Sequence, residues 1–298
     1  MSLRPAVAAL LAVAMLAGCT TPPVKAPAAV ATRAAQATAP ATPADDNLNA
    51  VAWSQDAVEH DMIYEQTYRD AQSRLLAAWK DPAWDALPTD DRMAPATGLK
   101  PAVVLDIDET VLDNSPYQAR LVRSSGEYNE ADWAAWCKEE KARAMPGAVA
   151  FTRFAHKHGI AVIYISNRAK DLDTVTLANL RADGFPVAGP DAFLGLGTYV
   201  KGCEQIGTEK SCRRQLISRR YRVLMQFGDQ LGDFVTVTAN TLEGRRQALQ
   251  PYQAWVGTRW FVLPNPTYGS WEPALFHNDW TAPRDQRRRQ KIDALRYQ

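Results

Sequence analysis

The sequence predicts an α/β fold built on a parallel sheet, and two observations lead to this prediction. Short apolar runs rich in β-branched residues recur along the 298-residue chain, and segments with helical periodicity separate them. Because a helix can cross between parallel strands, this alternation favours a parallel sheet with right-handed connections. The composition agrees, since 46% hydrophobic and 22% charged residues exclude a disordered chain and a small disulfide scaffold.

The strands and helices are predicted within residues 47–298, the expected folded domain. In chain order they are a helix over 48–79, a strand over 101–106, a helix over 147–157, a strand over 160–165, a helix over 171–183, and strands over 221–227 and 260–263. Each predicted strand is a short apolar run, as is typical of a parallel strand that is buried on both faces.

The first 46 residues have a different composition. Residues 1–18 hold an apolar run that is too short to span a membrane and suits a secretory signal peptide. The run ends in Leu-Ala-Gly-Cys19, which resembles the bacterial lipobox and implies cleavage before Cys19 and lipidation of that residue. An ordinary signal peptide with an incidental cysteine is the alternative. Residues 19–46, rich in Ala, Pro and Thr, are expected to form an extended tether.

The lipobox interpretation predicts a protein anchored by lipid in the cell envelope, on the periplasmic face or the surface of an outer membrane. The 34 Lys and Arg residues nearly balance 33 Asp and Glu residues, so a nucleic acid polymer is not an expected partner. Basic residues do cluster in residues 284–296. Contact with anionic lipid headgroups is one interpretation, and a solvated helical tail is the preferred one.

Polar residues directly follow three of the predicted strands. Asp106 and Asp108 follow the first, Ser166 and Asn167 follow the second, and residues 228–233, Gly-Asp-Gln-Leu-Gly-Asp, follow the third. Because ligands bind at the carboxyl ends of parallel strands, we expect the three clusters to form one site.

The carboxylates of this site suggest phosphate chemistry. Asp106 and Asp108 are two residues apart, so on extended backbone they face the same side, repel each other and hold a proton unequally. Such a pair suits a nucleophile and a general acid/base. Asp229 and Asp233 bring the carboxylates to four, and a divalent cation, by default Mg²⁺, would relieve their repulsion.

The same segments resemble the motifs of the haloacid dehalogenase (HAD) superfamily. Residues 106–111, Asp-Ile-Asp-Glu-Thr-Val, resemble motif I, and residues 165–168, Ile-Ser-Asn-Arg, resemble motif II. Residues 228–233 resemble motif IV, and Lys210 lies between the last two, as motif III requires.

A narrower resemblance is to the class C acid phosphatases, the lipoprotein e family of bacterial surface nucleotidases. Residues 105–117 and 264–272 carry it. It implies a HAD-like Rossmannoid parallel core with a small, mainly helical cap contributed by about 47–95 and 113–146. The implied activity is Mg²⁺-dependent hydrolysis of phosphomonoesters, with nucleoside 5′-monophosphates or nicotinamide mononucleotide as expected substrates.

The resemblance also implies roles for individual residues. Asp106 would be the nucleophile that becomes an aspartyl phosphate, and Asp108 would protonate the leaving group and then activate water. The Asp106 carboxylate, the Asp108 backbone carbonyl and the Asp229 carboxylate would hold the metal. Asp233 would lie just outside, orienting Lys210 or a metal-bound water.

The phosphoryl group would be bound by Ser166, Asn167 and Lys210. Three neighbouring cations are alternatives to the lysine: Lys201, Arg213 and Arg214. Trp133 and Tyr268 are the candidates for stacking on a substrate ring, against the alternative that they are core residues.

Three cysteines remain after Cys19, namely Cys137, Cys203 and Cys212. A disulfide between Cys203 and Cys212 would hold the loop that carries Lys210, and two reduced, buried cysteines are the alternative. Other functions stay open at this stage: phosphoryl transfer to an alcohol, or a surface lipoprotein that binds haem or another ligand through a vestigial site. A homodimer is also left open.

Overall fold

A parallel sheet of five strands lies at the centre of the computed structural model, which describes residues 45–189 and 191–298. Its strands are β1 (Lys100–Leu105), β4 (Ala161–Ala169), β5 (Phe193–Leu196), β6 (Tyr221–Gly228) and β7 (Trp260–Val262), in the order β5-β4-β1-β6-β7. The predicted α/β fold with a parallel sheet is therefore confirmed. The expected signal peptide 1–18, Cys19 and the tether up to residue 44 lie outside the described residues.

Helices cover the sheet, and a short antiparallel pair, β2 (Leu112–Asp113) and β3 (Arg143–Ala144), lies outside it. The helices are α1 (Leu48–Asp56), α2 (Val58–Lys80), α3 (Ser115–Ser124), α4 (Glu130–Glu139), α5 (Ala148–Lys157), α6 (Asp173–Ala182), α7 (Ser211–Ser218), α8 (Leu242–Leu249) and α9 (Arg284–Asp293). None of the described helices is long and apolar enough to cross a membrane.

The central strand β1 is buried on both faces, which explains its continuous apolar sequence. Val103 and Leu105 belong to the core under one face of the sheet, and Ala102 and Val104 belong to the core under the other. Side chains alternate between the faces of a strand, so a strand with helices on both sides needs apolar residues at every position.

The first predicted helix and strand β5 are among the elements that differ from the prediction. The single helix expected over 48–79 is interrupted at Ala57, which has extended backbone with φ −82° and ψ 121°. The interruption lets Trp53 of α1 contact His60 of α2, with ring centroids 5.4 Å apart. Strand β5 was not predicted, because its four residues, Phe-Leu-Gly-Leu, are too short for a periodic pattern.

Residues 113–146 form α3, α4 and strand β3, with part of β2, and their role as a cap stays a prediction. The expected contribution from 47–95 is different. Helix α2 buries Tyr64, Tyr68, Ala71 and Leu75 in the main core and contacts α5, β6 and β7. That helix therefore belongs to the layer that covers the sheet, because its apolar face needs the sheet as a partner.

Aromatic packing in this layer holds the end of β6. The Phe227 ring lies 5.3 Å from Tyr68, 4.6 Å from Phe151 and 5.1 Å from Phe261, measured between centroids. Phe227 is 1% exposed, and it immediately precedes Gly228 and the third polar cluster. The position of that cluster thus depends on a well-packed core residue.

We expect Phe227→Ala to lower the free energy of unfolding by about 3–5 kcal/mol, because it removes a buried ring and leaves a cavity between three elements. Urea unfolding followed by circular dichroism measures this. Tyr199→Ala is the matched control, since Tyr199 is 85% exposed, and we expect a change within about 0.5 kcal/mol there. A loss below about 1 kcal/mol for Phe227→Ala would contradict the packing described here.

Candidate active site

The three polar clusters meet at the carboxyl edge of the sheet because their strands are neighbours. Leu105 of β1 is in register with Tyr164 of β4 and with Phe227 of β6. The backbone N–H of Asp106 donates to the carbonyl oxygen of Phe227 at 2.9 Å, so the strand pairing continues to the first residue of the site. Residues more than 120 positions apart in the chain are thereby brought together.

Lys210 links two of the four aspartates. Its ammonium donates to Asp106 Oδ1 at 2.5 Å, to Asp233 Oδ1 at 2.6 Å and to the carbonyl oxygen of Ile165 at 2.8 Å. Burial favours the neutral amine, but the charges of Asp106 and Asp233 outweigh it and raise the pKa of Lys210. The ammonium is therefore a fixed positive charge beside the expected nucleophile.

Lys210 is held by the segment that surrounds it. Cys203 and Cys212 form a disulfide that closes the loop on both sides of it. Lys210 itself is the residue that precedes α7. Cys137 is buried and unpaired within the described residues.

The carboxylates of Asp106, Asp229 and Asp233 form a cluster in which one oxygen from each lies within 4.8 Å of the others. Asp229 Oδ2 accepts hydrogen bonds from the side-chain amides of Gln230 and Asn265, each at 2.8 Å. Neither amide carries a charge, so these hydrogen bonds do not neutralise Asp229. Asp106 and Asp233, in contrast, share the positively charged Lys210.

The excess of negative charge accompanies raised pKa values of Asp106 and Asp229. Burial raises the pKa of Asp106 to about 7, although the Lys210 charge opposes the rise. Burial also raises the pKa of Asp229 well above its usual value, and the charges of Asp233 and Asp106 add to the effect. The cluster thus lacks positive charge, and an oxygen-bound divalent cation fits its donor set.

Asp233 is fixed by backbone as well as by Lys210. The N–H of Gln230 donates to Asp233 Oδ2 at 2.8 Å. The Asp233 side chain lies against the backbone of Gly228 at the end of β6. A Cβ added at Gly228 would lie 2.2 Å from Asp233 Oδ2. Only glycine fits at residue 228, which explains why this residue precedes the cluster.

Asp108 turns away from this cluster toward different partners. Arg168 Nε and Asn114 Nδ2 each donate to Asp108 Oδ1 at 2.9 Å. The hydroxyl of Ser166 donates to Asp108 Oδ2 at 3.3 Å. Ser166, expected to bind phosphate, therefore also contacts the expected acid/base.

Asn167 is exposed and lines the cavity, and its Oδ1 accepts a hydrogen bond from Arg213 at 2.7 Å. Arg213 also donates to the carbonyl oxygen of Ser166 at 2.5 Å. Of the alternatives to Lys210, Arg213 thus supports the second polar cluster, and Arg214 pairs with Asp91 at 2.6 Å. Lys201 is exposed, and neither it nor Arg214 lines the cavity.

A cavity of about 1100 Å³ opens above the aspartates, and both expected stacking residues line it. Trp133 is half-buried and its ring lies 5.2 Å from Tyr117. Tyr268 is half-buried and donates its hydroxyl to the Glu109 carboxylate. The second tryptophan of the cap, Trp136, is 3% exposed and is a core residue.

Helix α9 forms part of the wall of this cavity. Its basic residues form ion pairs: Arg284 with Asp45, Arg287 with Glu127, Arg288 with Asp46, and Lys291 with Glu272. The helix expected for the basic tail is present and none of its residues is buried, in agreement with the preferred interpretation of a solvated helical tail. Its charges are complemented by acidic residues of the domain and of the last residues of the expected tether.

Sequence reasoning missed several residues that shape the site, chiefly Arg168, Asn114 and Asn265. Arg168 and Asn114 lie within the segments that carry the resemblance, but no local pattern shows that they contact Asp108. Asn265 lies 36 residues after Asp229, so only the adjacency of β6 and β7 brings it there. Glu109 has a left-handed backbone, φ 54°, and no sequence signal indicated it.

Comparison with solved structures agrees with this fold. In overall structure the chain is similar to the class C acid phosphatase from Bacillus anthracis with tungstate bound, with a TM-score of 0.73 and 32% identity over 85% of this chain and 97% of that one. A second structure of the class C acid phosphatase from the same organism matches with a TM-score of 0.72.

Plant proteins match in sequence over part of their length. They include a stem 31 kDa glycoprotein of Glycine max, 26% identical, and vegetative storage protein 1 of Arabidopsis thaliana, 29% identical. Acid phosphatase 1 of Solanum lycopersicum is 22% identical. Each match covers 55% of this chain and between 54% and 58% of the relative, so the chain spans just over half the length of these plant relatives.

The family model of the HAD superfamily, subfamily IIIB (acid phosphatase), matches residues 16–271. This range includes all four aspartates, Lys210 and both expected stacking residues. On this match the chain belongs to the subfamily IIIB acid phosphatases of the HAD superfamily, which are phosphoric monoester hydrolases.

Proposed function

We propose that this protein is a metal-dependent phosphomonoesterase that transfers the phosphoryl group first to Asp106 and then to water. One observation carries the proposal: Asp106 lies at the carboxyl edge of the sheet, with Lys210 bound to one of its oxygens and Asp229 and Asp233 beside it. A buried carboxylate held beside a fixed ammonium suits attack on an anionic phosphoryl group, because the ammonium offsets the repulsion between the two anions.

The nucleophilic step uses the oxygen of Asp106 that Lys210 does not hold. Lys210 donates to Oδ1, which leaves Oδ2 to form the new bond to phosphorus while the ester P–O bond breaks. The bonding electrons leave with the alcohol oxygen, and Asp108 supplies its proton. The Lys210 ammonium stabilises negative charge on the phosphoryl oxygens throughout.

The hydrolytic step reverses the part played by Asp108. Its carboxylate, now deprotonated, takes a proton from water as the water oxygen attacks phosphorus. The bond between phosphorus and Asp106 breaks, which returns Asp106 as a carboxylate and releases phosphate. Ser166 and Asn167 supply hydrogen-bond donors for the phosphoryl oxygens at the end of the neighbouring strand.

A cation fits the carboxylate cluster, and Mg²⁺ is the one we propose. The Asp106 and Asp229 carboxylates and the Asp108 backbone carbonyl would hold it, with Asp233 kept beside them by Lys210 and the N–H of Gln230. When bound it would supply the missing positive charge and polarise a phosphoryl oxygen.

Nucleoside 5′-monophosphates or nicotinamide mononucleotide are the proposed substrates. Trp133 and Tyr268 line the cavity together with Asp106 and Asp108, so a ring attached to the phosphate can reach them. Stacking on aromatic side chains suits such rings. The bound tungstate of the Bacillus anthracis relative supports a site for tetrahedral oxyanions in this fold.

The proposed setting is the cell envelope, on the periplasmic face or the surface of an outer membrane. Lipidation of Cys19 and the tether up to residue 46 would hold the domain at a membrane. Asp45 and Asp46 pair with α9, so the tether would leave the domain beside the cavity wall.

We expect Asp106→Asn to lower the hydrolysis of p-nitrophenyl phosphate in the presence of Mg²⁺ by at least about 10³-fold, because an amide is a poor nucleophile. Release of p-nitrophenolate measures this. Asp171→Asn makes the same change at an exposed position outside the site and should leave the rate unchanged. No turnover by the wild-type protein with Mg²⁺, Mn²⁺ or Co²⁺ would favour the ligand-binding alternative.

Metal binding and pH should act together on stability. The raised pKa of Asp106, about 7, means that the metal-free native state binds more protons than the unfolded state between about pH 4 and pH 7. In EDTA the Tm should therefore fall as pH rises through this range. Mg²⁺ binds the ionised carboxylates, so it should raise Tm more at pH 7 than at pH 5, as differential scanning fluorimetry can measure. An equal effect of Mg²⁺ at both pH values would contradict the proposed metal site.

The stacking proposal predicts a change confined to substrates with a ring. We expect Trp133→Leu to raise KM for adenosine 5′-monophosphate about 5–50-fold, because one aromatic contact with the base is lost. The KM for glycerol phosphate, which has no ring, should stay within about twofold. Steady-state assays of released phosphate measure both constants, and equal changes for the two substrates would refute stacking on Trp133.

A further inference from the structure

Arg168 is a buried charge that the proposed mechanism leaves without a role. Its side chain is 0% exposed, and the residue follows Ser166 and Asn167 at the end of β4. Two of its nitrogens lie near one oxygen of Asp108, Nε at 2.9 Å and Nη2 at 2.8 Å from Oδ1. A buried arginine held this way stabilises a single arrangement of its carboxylate partner.

The two oxygens of Asp108 are therefore unequal. Oδ1 also accepts a hydrogen bond from Asn114 Nδ2 at 2.9 Å, so it has both a charged and an uncharged donor. Oδ2 has one long hydrogen bond, from the Ser166 hydroxyl at 3.3 Å. Arg168 and Asn114 thus hold Oδ1, which leaves Oδ2 as the oxygen that is free to contact a reacting group.

Arg168 is in turn held in place from several sides. Its Nη1 donates to Thr176 Oγ1 at 3.4 Å and its Nη2 to Asn114 Oδ1 at 3.3 Å. Trp136 Nε1 donates to the same Asn114 oxygen at 2.8 Å. The guanidinium carbon lies 5.6 Å from the centre of the Trp133 ring, which forms part of the cavity wall.

We propose that Arg168 is a positioning residue for proton transfer: it holds Asp108 Oδ1 so that Oδ2 faces the leaving group. The inference rests on the proposed function. In the first step the proton on Oδ2 moves to the alcohol oxygen as the P–O bond breaks, and the electron pair of the broken O–H bond stays on Oδ2. Through its contact with Trp133, the same arginine connects the wall that would contact the leaving group with the acid that protonates it.

Substrates with different leaving groups test this role. p-Nitrophenolate is a stable anion and leaves without a proton, whereas benzyl alcohol leaves only when protonated. The constant kcat/KM reports the steps up to release of the leaving group. In Arg168→Lys and Arg168→Gln, we expect kcat/KM for benzyl phosphate to fall about 100-fold more than kcat/KM for p-nitrophenyl phosphate. Lysine lacks the planar fork that reaches Asp108 and Asn114 together, so it should not rescue.

The ratio of the two constants separates positioning from folding. Both constants come from one preparation, so the ratio does not depend on the fraction of protein that folds. Arg214→Lys is the matched control, because Arg214 is equally buried and pairs with Asp91 at 2.6 Å but does not contact Asp108. We expect Arg214→Lys to change both constants by the same factor.

Two outcomes would overturn the proposal while the proposed function stands: an unchanged ratio in the Arg168 variants, or the same change of ratio in Arg214→Lys. A wild-type protein that hydrolyses neither substrate would instead refute the proposed function, and this inference with it. A second readout is the p-nitrophenolate burst. If Oδ2 is misplaced, water activation also slows, so the Arg168 variants should release about one equivalent per enzyme before the steady state.

Discussion

The contact of Lys210 with Asp106 and Asp233 is the interaction on which the site depends. Buried carboxylates repel one another, and burial raises the pKa of Asp106 to about 7 although the Lys210 charge opposes the rise. The Lys210 ammonium contacts Asp106 at 2.5 Å and Asp233 at 2.6 Å, and its positive charge offsets the repulsion between these two carboxylates. It does not reach Asp229, and this unbalanced negative charge is the physical reason why the cluster could hold a metal ion.

The order of the strands brings these charged side chains close together. Strand β1 lies between β4 and β6, so three strand ends deliver their polar residues to one edge. Two residues position the end of β6. Phe227 does so by packing in the core, and Gly228 does so by leaving room for the Asp233 side chain. Such precision needs rigid elements, because charged groups a few ångströms apart change their interaction strongly with small shifts.

Asp106 and Asp108 each belong to a separate network of charged side chains. Lys210 holds Asp106, and Arg168 holds Asp108, which Ser166 also contacts. Asp106 and Asp108 are only two residues apart, yet they share no charged partner. This separation explains how neighbouring carboxylates can take different roles, since each has its own electrostatic environment.

The sequence by itself determined the α/β class, the central strands and which four aspartates follow the strand ends. Local patterns are sufficient for this, because a buried strand and a motif are both local. It also indicated Lys210 and the pairing of Cys203 with Cys212. Only the tertiary structure decided that α2 belongs to the core, that α9 is an ion-paired wall of the cavity, and that Arg168, Asn114 and Asn265 support the aspartates. Those contacts join residues distant in the chain, and their geometry follows from strand order and packing, which no local pattern records.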